Sequence, residues 1–307
     1  VIGRIIDIQN TGYYLSKDRG FLLIQEKGEE KGRIPLSDID ALILGGQGNT
    51  VSTTLLHAMQ ESGTIVILTG QNHHPSNILW PMAAHYQHHA RLHLQIAMAK
   101  PFQKRLWQSV IQAKIRHQGA ILRSVTGGDV GLLAFAKEVK SGDPDNREAQ
   151  AARRYWTALM GTSFRRDPDA QDANGLLNYG YAIIRAAMAR AVAASGLHPA
   201  LGIHHSNKNN PFCLVDDLME VFRPLMDWRV RGLMAAGTAS VTPETKKSLV
   251  EVLRLDLQSE NGRSPVGNCI QKMVQSYVCS MESKKNLLQF PLSILPLSQM
   301  TLDFDND

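Results

Sequence analysis

Apolar positions in the first 68 residues fall in short alternating or continuous runs: Ile2 to Ile8, Tyr13 to Ser16, Phe21 to Gln25 and Ala41 to Leu44. Asp18-Arg19-Gly20, Glu26 to Gly32 and Gly45-Gly46-Gln47-Gly48-Asn49 break those runs, a pattern that predicts strands joined by turns. One helix interrupts the strands, with Ser52 or Thr53 as N-cap, Leu55, Leu56 and Met59 facing inward and Gly63 just past its end. A buried strand, Thr64 to Leu68, follows it. From Ala84 to Tyr277 the apolar spacing changes to three and four, as in Leu106-Val110-Ile111-Ile115, and predicts helices. The expected fold class is therefore α+β in two domains. An N-terminal β domain is expected over 1–72, a linker over 73–84 and a larger all-α domain over 85–296. The remainder, 297–307, carries Asp303, Asp305 and Asp307 and is expected to be a disordered acidic tail.

The chain has 307 residues, enough for two cores. No apolar run reaches the roughly 18 residues that span a bilayer, and the most apolar helical stretch, Tyr181 to Ser195, contains Arg185 and Arg190. The N-terminal residues lack the basic, apolar and small-residue succession of a secretory signal, so a cytoplasmic location is expected. Cys213, Cys269 and Cys279 are odd in number and form no CxxC pair, which argues against a disulfide framework or a thiolate zinc site. Formal net charge is only +5, but Arg91 to Arg166 holds fourteen Lys and Arg against five Asp and Glu. Such a segment suits a polyanionic partner, or simply a solvated helix face.

Chemistry concentrates in Gly202-Ile203-His204-His205-Ser206-Asn207-Lys208-Asn209-Asn210-Pro211-Phe212 and the stretch after it, which carries Asp216, Asp217 and Glu220. Imidazole and carboxylate donors together suit Mg²⁺ or Mn²⁺ better than a structural zinc site. Asp216 reads as an exposed helix-start charge. Further upstream, Asp143 suits an N-cap and Pro144 the first helical position, which would place Glu148 in the second turn, on the apolar side shared by Ala152, Tyr155 and Leu159. A carboxylate there either binds metal or pairs with an arginine such as Arg154 or Arg185. The spacing leaves both open. His85, His88, His89 and His93 lack the zincin glutamate and read as a surface or interface patch, and Gly45 to Gly48 as a strand-end turn.

Several motifs together resemble one known family. Asn146-Arg147-Glu148, Ala151-Ala152-Arg153 and Tyr155-Trp156, then Asn178-Tyr179-Gly180-Tyr181-Ala182, then the loop and helix ending in Phe222-Arg223-Pro224, resemble the CRISPR-associated integrases of the Cas1 family. Ile34 to Asp40, Ser52 to Leu56, and Ala113-Lys114-Ile115 with Gln118 are similar to that family too, so the likeness runs from about Ile2 to Pro296. Ala149 and Val221 depart from it, where relatives carry Gly and often Pro.

The resemblance implies a β-sandwich first domain that mediates dimerisation and a helical catalytic domain. It also implies one Mg²⁺ or Mn²⁺ site with Glu148, His205 and Glu220 as catalytic ligands, supported by Asp217 and Asn207. The expected activity is integration of short double-stranded DNA into a CRISPR repeat array by attack of a 3′-hydroxyl, with endonuclease activity when water attacks instead. Implied partners are a second copy of the chain, DNA, the small protein Cas2 and the Cas9 effector, the last from details that look most like the branch encoded beside Cas9. Arg147, Arg153, Arg165 and Arg166 are the first candidates for DNA backbone contacts. Two other classes fit the bare residues: a non-catalytic nucleic-acid scaffold, and a metal-dependent phosphoesterase acting on a small substrate.

Overall fold

The structure, a computed structural model, describes residues 4–70, 75–80, 85–167, 170, 172–260 and 262–297. Half of the expected linker and nearly all of the expected tail lie outside them. Strands fill the N-terminal part in two four-stranded sheets. One runs β1 (Arg4–Ile8), β5 (Ile39–Leu44), β7 (Ile65–Thr69) and β8 (Pro75–Leu79), parallel except for the last pair. The other runs β4 (Glu29–Pro35), β3 (Phe21–Glu26), β2 (Tyr13–Asp18) and β6 (Thr50–Val51).

Strand period decides what each face of the first sheet meets. Leu42, Leu44 and Val66 pack with Leu15, Leu22 and Ile24 of the second sheet and with Leu55 and Met59 of helix α1 (Thr53–Glu61). The alternate residues Ala41, Ile43, Ile65 and Ile67 belong instead to the apolar cluster of the helices. Ser52 caps α1, its hydroxyl accepting from the Leu55 amide at 3.3 Å.

Helices dominate from residue 88 onward: α2 (His88–Ile96), α3 (Lys100–Thr126), α4 (Leu132–Lys137), α5 (Arg147–Met160), α6 (Ala173–Ala194), α7 (Cys213–Met219), α8 (Arg223–Ala235), α9 (Pro243–Glu251) and α10 (Val266–Ser283). The centre of this part is α6, which is buried on nearly all sides. A helix apolar all round must be enclosed by others. Its polar exceptions are anchors: Arg190 reaches Asp40 of β5 at 2.8 Å, and the Tyr179 hydroxyl donates to Asp7 of β1 at 2.5 Å. No helix among the described residues is long and apolar enough to cross a membrane.

Three elements differ from the sequence expectation. Glu29–Pro35 forms β4 where a break was read, because an edge strand tolerates the charges of Glu29, Glu30, Lys31 and Arg33 on exposed positions. Pro75–Leu79 is a strand inside the expected linker, pairing with β7 at the edge of its sheet, where proline is tolerated. A hairpin, β9 (Asp256–Ser259) with β10 (Gly262–Pro265), interrupts the helical part.

Candidate metal centre

Three helices and one loop deliver the site. The first is α3, whose apolar face carries the buried residues Ala113, Ile115 and Gln118, with Lys114 between them. Next comes α5, which starts later than the Asp143-Pro144 pattern suggested. Its N-cap is Asn146, in the left-handed conformation that asparagine tolerates (φ 50°), with its side chain accepting from the Ala149 amide. Asp143 still serves the helix start: its carboxylate accepts from the amides of Arg147 at 2.8 Å and Glu148 at 3.0 Å. Glu148 therefore lies in the first turn, not the second, and the buried stripe beside it runs through Ala151, Tyr155 and Leu159.

The loop before α7 is folded onto Asp217, which is fully buried. Asp217 Oδ2 accepts from the His204 amide at 2.8 Å and the His205 amide at 3.3 Å, and its Oδ1 meets His205 Nδ1 at 2.5 Å. Only glycine fits at 202, where an added Cβ would stand 2.8 Å from Asp217 Oδ2 and against the His205 carbonyl. With Nδ1 bonded to Asp217, Nε2 of His205 is the nitrogen left for a metal, the arrangement in which a carboxylate orients a liganding imidazole. That hydrogen bond also raises the His205 pKa above its ordinary value. His204 turns elsewhere. It stacks flat on the buried Trp107, ring centroids 4.5 Å apart at 3°, and burial lowers its pKa.

Glu148 and Glu220 converge on one ammonium. Lys114 Nζ lies 2.5 Å from Glu148 Oε1 and 2.6 Å from Glu220 Oε2, while Arg223 Nε lies 2.8 Å from Glu220 Oε1. Burial opposes the charge on both Lys114 and Glu220, but their mutual attraction, with Glu148 and Arg223, outweighs it. Lys114 is held above the usual lysine pKa and Glu220 below the usual carboxylate range. Glu220 is thus an ionised carboxylate at only 8 % exposure, which burial alone forbids.

Among the described residues no three His, Cys, Asp or Glu side chains already stand as one metal cage. The donor set still fits a hard divalent cation: two carboxylates already neutralising a positive charge, and an imidazole with its tautomer fixed. Glu220 Oε2 is buried with the Lys114 ammonium 2.6 Å away, a place that a divalent ion could take. Lys114 occupies the place between the two acids.

Comparison with known proteins decides the family. The family described as CRISPR associated protein Cas1 matches residues 6–248. The chain is 38% identical over 302 residues to the CRISPR-associated endonuclease Cas1 of Neisseria meningitidis serogroup C (strain 8013), covering 96% of this chain and 98% of that one. It belongs to the Cas1 family. A relative from Pyrobaculum aerophilum, a CRISPR-associated endonuclease Cas1, is 29% identical over 273 residues, 83% of this chain and 91% of its own. Among solved structures, a casposase bound to its integration product superposes with a TM-score of 0.80 at 19% identity, covering 99% of this chain and 100% of that one. A Cas1 protein from Thermotoga maritima gives 0.76 at 13% identity, covering 93% and 99%. At such identities these two establish a shared fold.

Within this Cas1 chain the other expected residues are distributed unevenly. Neither Arg154 nor Arg185 pairs with Glu148: Arg154 lies over the Phe135 ring, and Arg185 grips Asp216 at 2.7 and 2.9 Å. Asp216 is accordingly a half-buried structural acid, not an exposed helix-start charge, and Asn210 joins it at 2.7 Å. Asn207 shapes the loop, its side chain accepting from the Asn209 amide at 2.9 Å. Arg147 is paired with Glu138 at 2.9 Å, and Arg166 with Asn174 and Asn178 at 2.9 and 2.5 Å. Arg153 and Arg165 are exposed. His85, His88 and Arg91 hold α2 against the turn after α6: His88 meets the Gly196 carbonyl at 3.1 Å, and Arg91 donates to that of Ser195 at 2.7 Å.

Two members of the centre were missed from the sequence as functional residues, Lys114 and Arg223. Lysine or arginine on a helix reads as a solvated charge. The signals that could have found them are the apolar neighbours Ala113 and Ile115 on α3 and the place of both residues inside the family-like motifs Ala113-Lys114-Ile115 and Phe222-Arg223-Pro224.

Proposed function

We propose that this Cas1 protein is a metal-dependent DNA integrase and endonuclease of CRISPR adaptation, with Glu148, His205 and Glu220 as its catalytic metal ligands. The observation that carries the reading is the convergence of Glu148 and Glu220 on one cationic position beside a histidine that a buried aspartate orients. Family membership and the casposase-like fold support it.

When bound, Mg²⁺ or Mn²⁺ supplies Lewis acidity and charge stabilisation at a target phosphodiester. The protein does the rest. Glu148 and Glu220 present the oxygen donors, and Asp217 holds the His205 ring so that Nε2 serves as the third. Arg223 keeps Glu220 ionised and fixed from its other oxygen. A 3′-hydroxyl of an incoming duplex attacks the phosphorus and the target strand's 3′-oxygen leaves, so no covalent protein intermediate forms. Water in place of that hydroxyl gives nuclease activity.

Exposed Arg153 is the better candidate for phosphate contacts, since Arg147 and Arg166 are engaged within the chain and Arg165, though exposed, donates to the Thr162 and Phe164 carbonyls. In the assembly we propose, the N-terminal sheets pair two copies and Cas2 joins them. A Cas6-RT-Cas1–Cas2 complex matches 94% of this chain at a TM-score of 0.77, and this chain covers 36% of that one. Likeness to the Neisseria meningitidis protein supports the branch encoded beside Cas9.

The test is strand transfer: full chain, Cas2, Mn²⁺ or Mg²⁺, a short labelled duplex with 3′-hydroxyl ends and a supercoiled plasmid carrying a leader and repeat. Label should join the plasmid with the parent protein and not with Glu148→Ala, His205→Ala or Glu220→Ala. Equal joining by folded variants sinks the proposed site. A parent that hydrolyses mononucleotides but joins no duplex supports the phosphoesterase reading instead.

A further inference from the structure

The reading above leaves Lys114 without a task, although it is the best-enclosed cation in contact with both acids. Its side chain is 12 % exposed and touches one oxygen from each of two carboxylates, Glu148 on α5 and Glu220 at the end of α7. Two ionised carboxylates brought this close repel each other unless a cation lies between them. Arg223 cannot be that cation for both, because its contact is with Glu220 Oε1, on the other side of the carboxylate, and its guanidinium lies 4.7 Å from the centre of the Tyr181 ring.

We propose that Lys114 is a built-in placeholder: it holds Glu148 and Glu220 together while the site lacks a divalent ion, and it competes with that ion for the same carboxylate oxygens. The inference rests on the metal-site reading above. Its geometry fits a group that is held yet releasable. The contact to Glu220 Oε2, at 2.6 Å, is made by an ammonium on a flexible four-carbon stem, which can withdraw without moving its helix. A more highly charged ion between the acids offers a stronger version of the same attraction. Lys114 is therefore a positioning residue. It keeps the acids together and aimed, at the cost of a weaker grip on metal.

A purely structural ion pair and a placeholder predict different results in a binding measurement. Mn²⁺ is titrated by calorimetry into chelator-treated full-length parent, Lys114→Met, Lys114→Gln and Glu220→Gln proteins, and melting temperatures are taken with and without Mn²⁺. Removing the competitor should tighten Mn²⁺ binding by about tenfold in both lysine variants, as expected when a direct competing charge is deleted. Melting temperature without metal should fall, and saturating Mn²⁺ should raise it by more than in the parent, because binding stabilises only the folded state. Unchanged or weaker Mn²⁺ affinity in the lysine variants overturns the placeholder and leaves the metal site standing. If the parent shows no Mn²⁺ binding that Glu220→Gln removes, the metal-site reading fails and takes the placeholder with it. Lys114→Gln keeps a polar side chain at the position, so the comparison survives if Lys114→Met does not fold.

Discussion

Glu220 and Asp227 are both buried carboxylates, seven residues apart, and their surroundings send them in opposite directions. Glu220 has a cation on each oxygen, Lys114 and Arg223, and is held below the ordinary carboxylate range despite its burial. Asp227, 2 % exposed on α8, has hydroxyls as its closest company: Tyr181 donates to its Oδ1, and Tyr155 lies beside it. Burial wins there and pushes its pKa up to about 7, against weaker pulls from the two tyrosines and Arg223. Burial alone therefore says little about an acid's job. Direct contact with a cation separates a carboxylate kept charged from one that holds its proton more tightly within the packing.

Exchanging each acid for its amide should expose that difference most strongly. Glu220→Gln keeps the volume, removes the charge and should lower strand transfer by roughly 10²- to 10³-fold, the scale of losing one electrostatic group at a reacting centre. Asp227→Asn keeps an acceptor for the Tyr181 hydroxyl and should stay within about threefold of the parent. Initial rates of labelled-strand joining compare them directly. Similar losses in the two variants would mean that Asp227 belongs to the reacting centre and that the contrast is false.

The same contrast marks what could be read in the chain itself. Long periodic segments were legible: α3 and α6 follow apolar spacing, and the Ser52 cap sits where its residue type indicates. Edge strands were not, since the charges of β4 mask its pairing and Pro75 reads as a linker. At the centre, the acids and His205 emerged from motif resemblance, and the sequence spacing left Glu148 undecided between metal and arginine. The partner it actually meets is Lys114, 34 positions away on another helix. Tertiary packing chose among basic residues that local spacing could not rank. Asp216 shows the same limit: its dipole-favoured position is real, yet Arg185 of α6 decides its role.

Asp217 provides the intermediate case, a fully buried acid whose partner is an imidazole. Asp217→Asn retains the shape but presents an amide to His205 Nδ1 and to two backbone amides, with fewer acceptor sites. Loss of such an orienting carboxylate typically costs about 10- to 100-fold in metal affinity or activity. Mn²⁺ calorimetry and strand transfer should both fall within that range, below the effect of Glu220→Gln. A loss confined to melting temperature would make Asp217 a loop anchor only.

The smallest expected effect is a pH dependence carried by Asp227. Its folded pKa, about 7, lies above the ordinary value of 3.8, so the folded state binds the proton more tightly than the unfolded chain. The resulting stabilisation is complete below about pH 3.8 and disappears as the pH rises through 7. Most of the change near neutrality falls between pH 6 and 8 and amounts to roughly 1 kcal/mol, about 2 °C in melting temperature for a chain of this size. Other groups titrate in that window, so the informative quantity is the parent's slope minus that of Asp227→Asn. The parent should lose more stability than the variant as the pH rises. Parallel curves would show that Asp227 is ionised throughout, with Arg223 reaching past the Tyr181 ring to serve both acids, and the two carboxylates would then be alike.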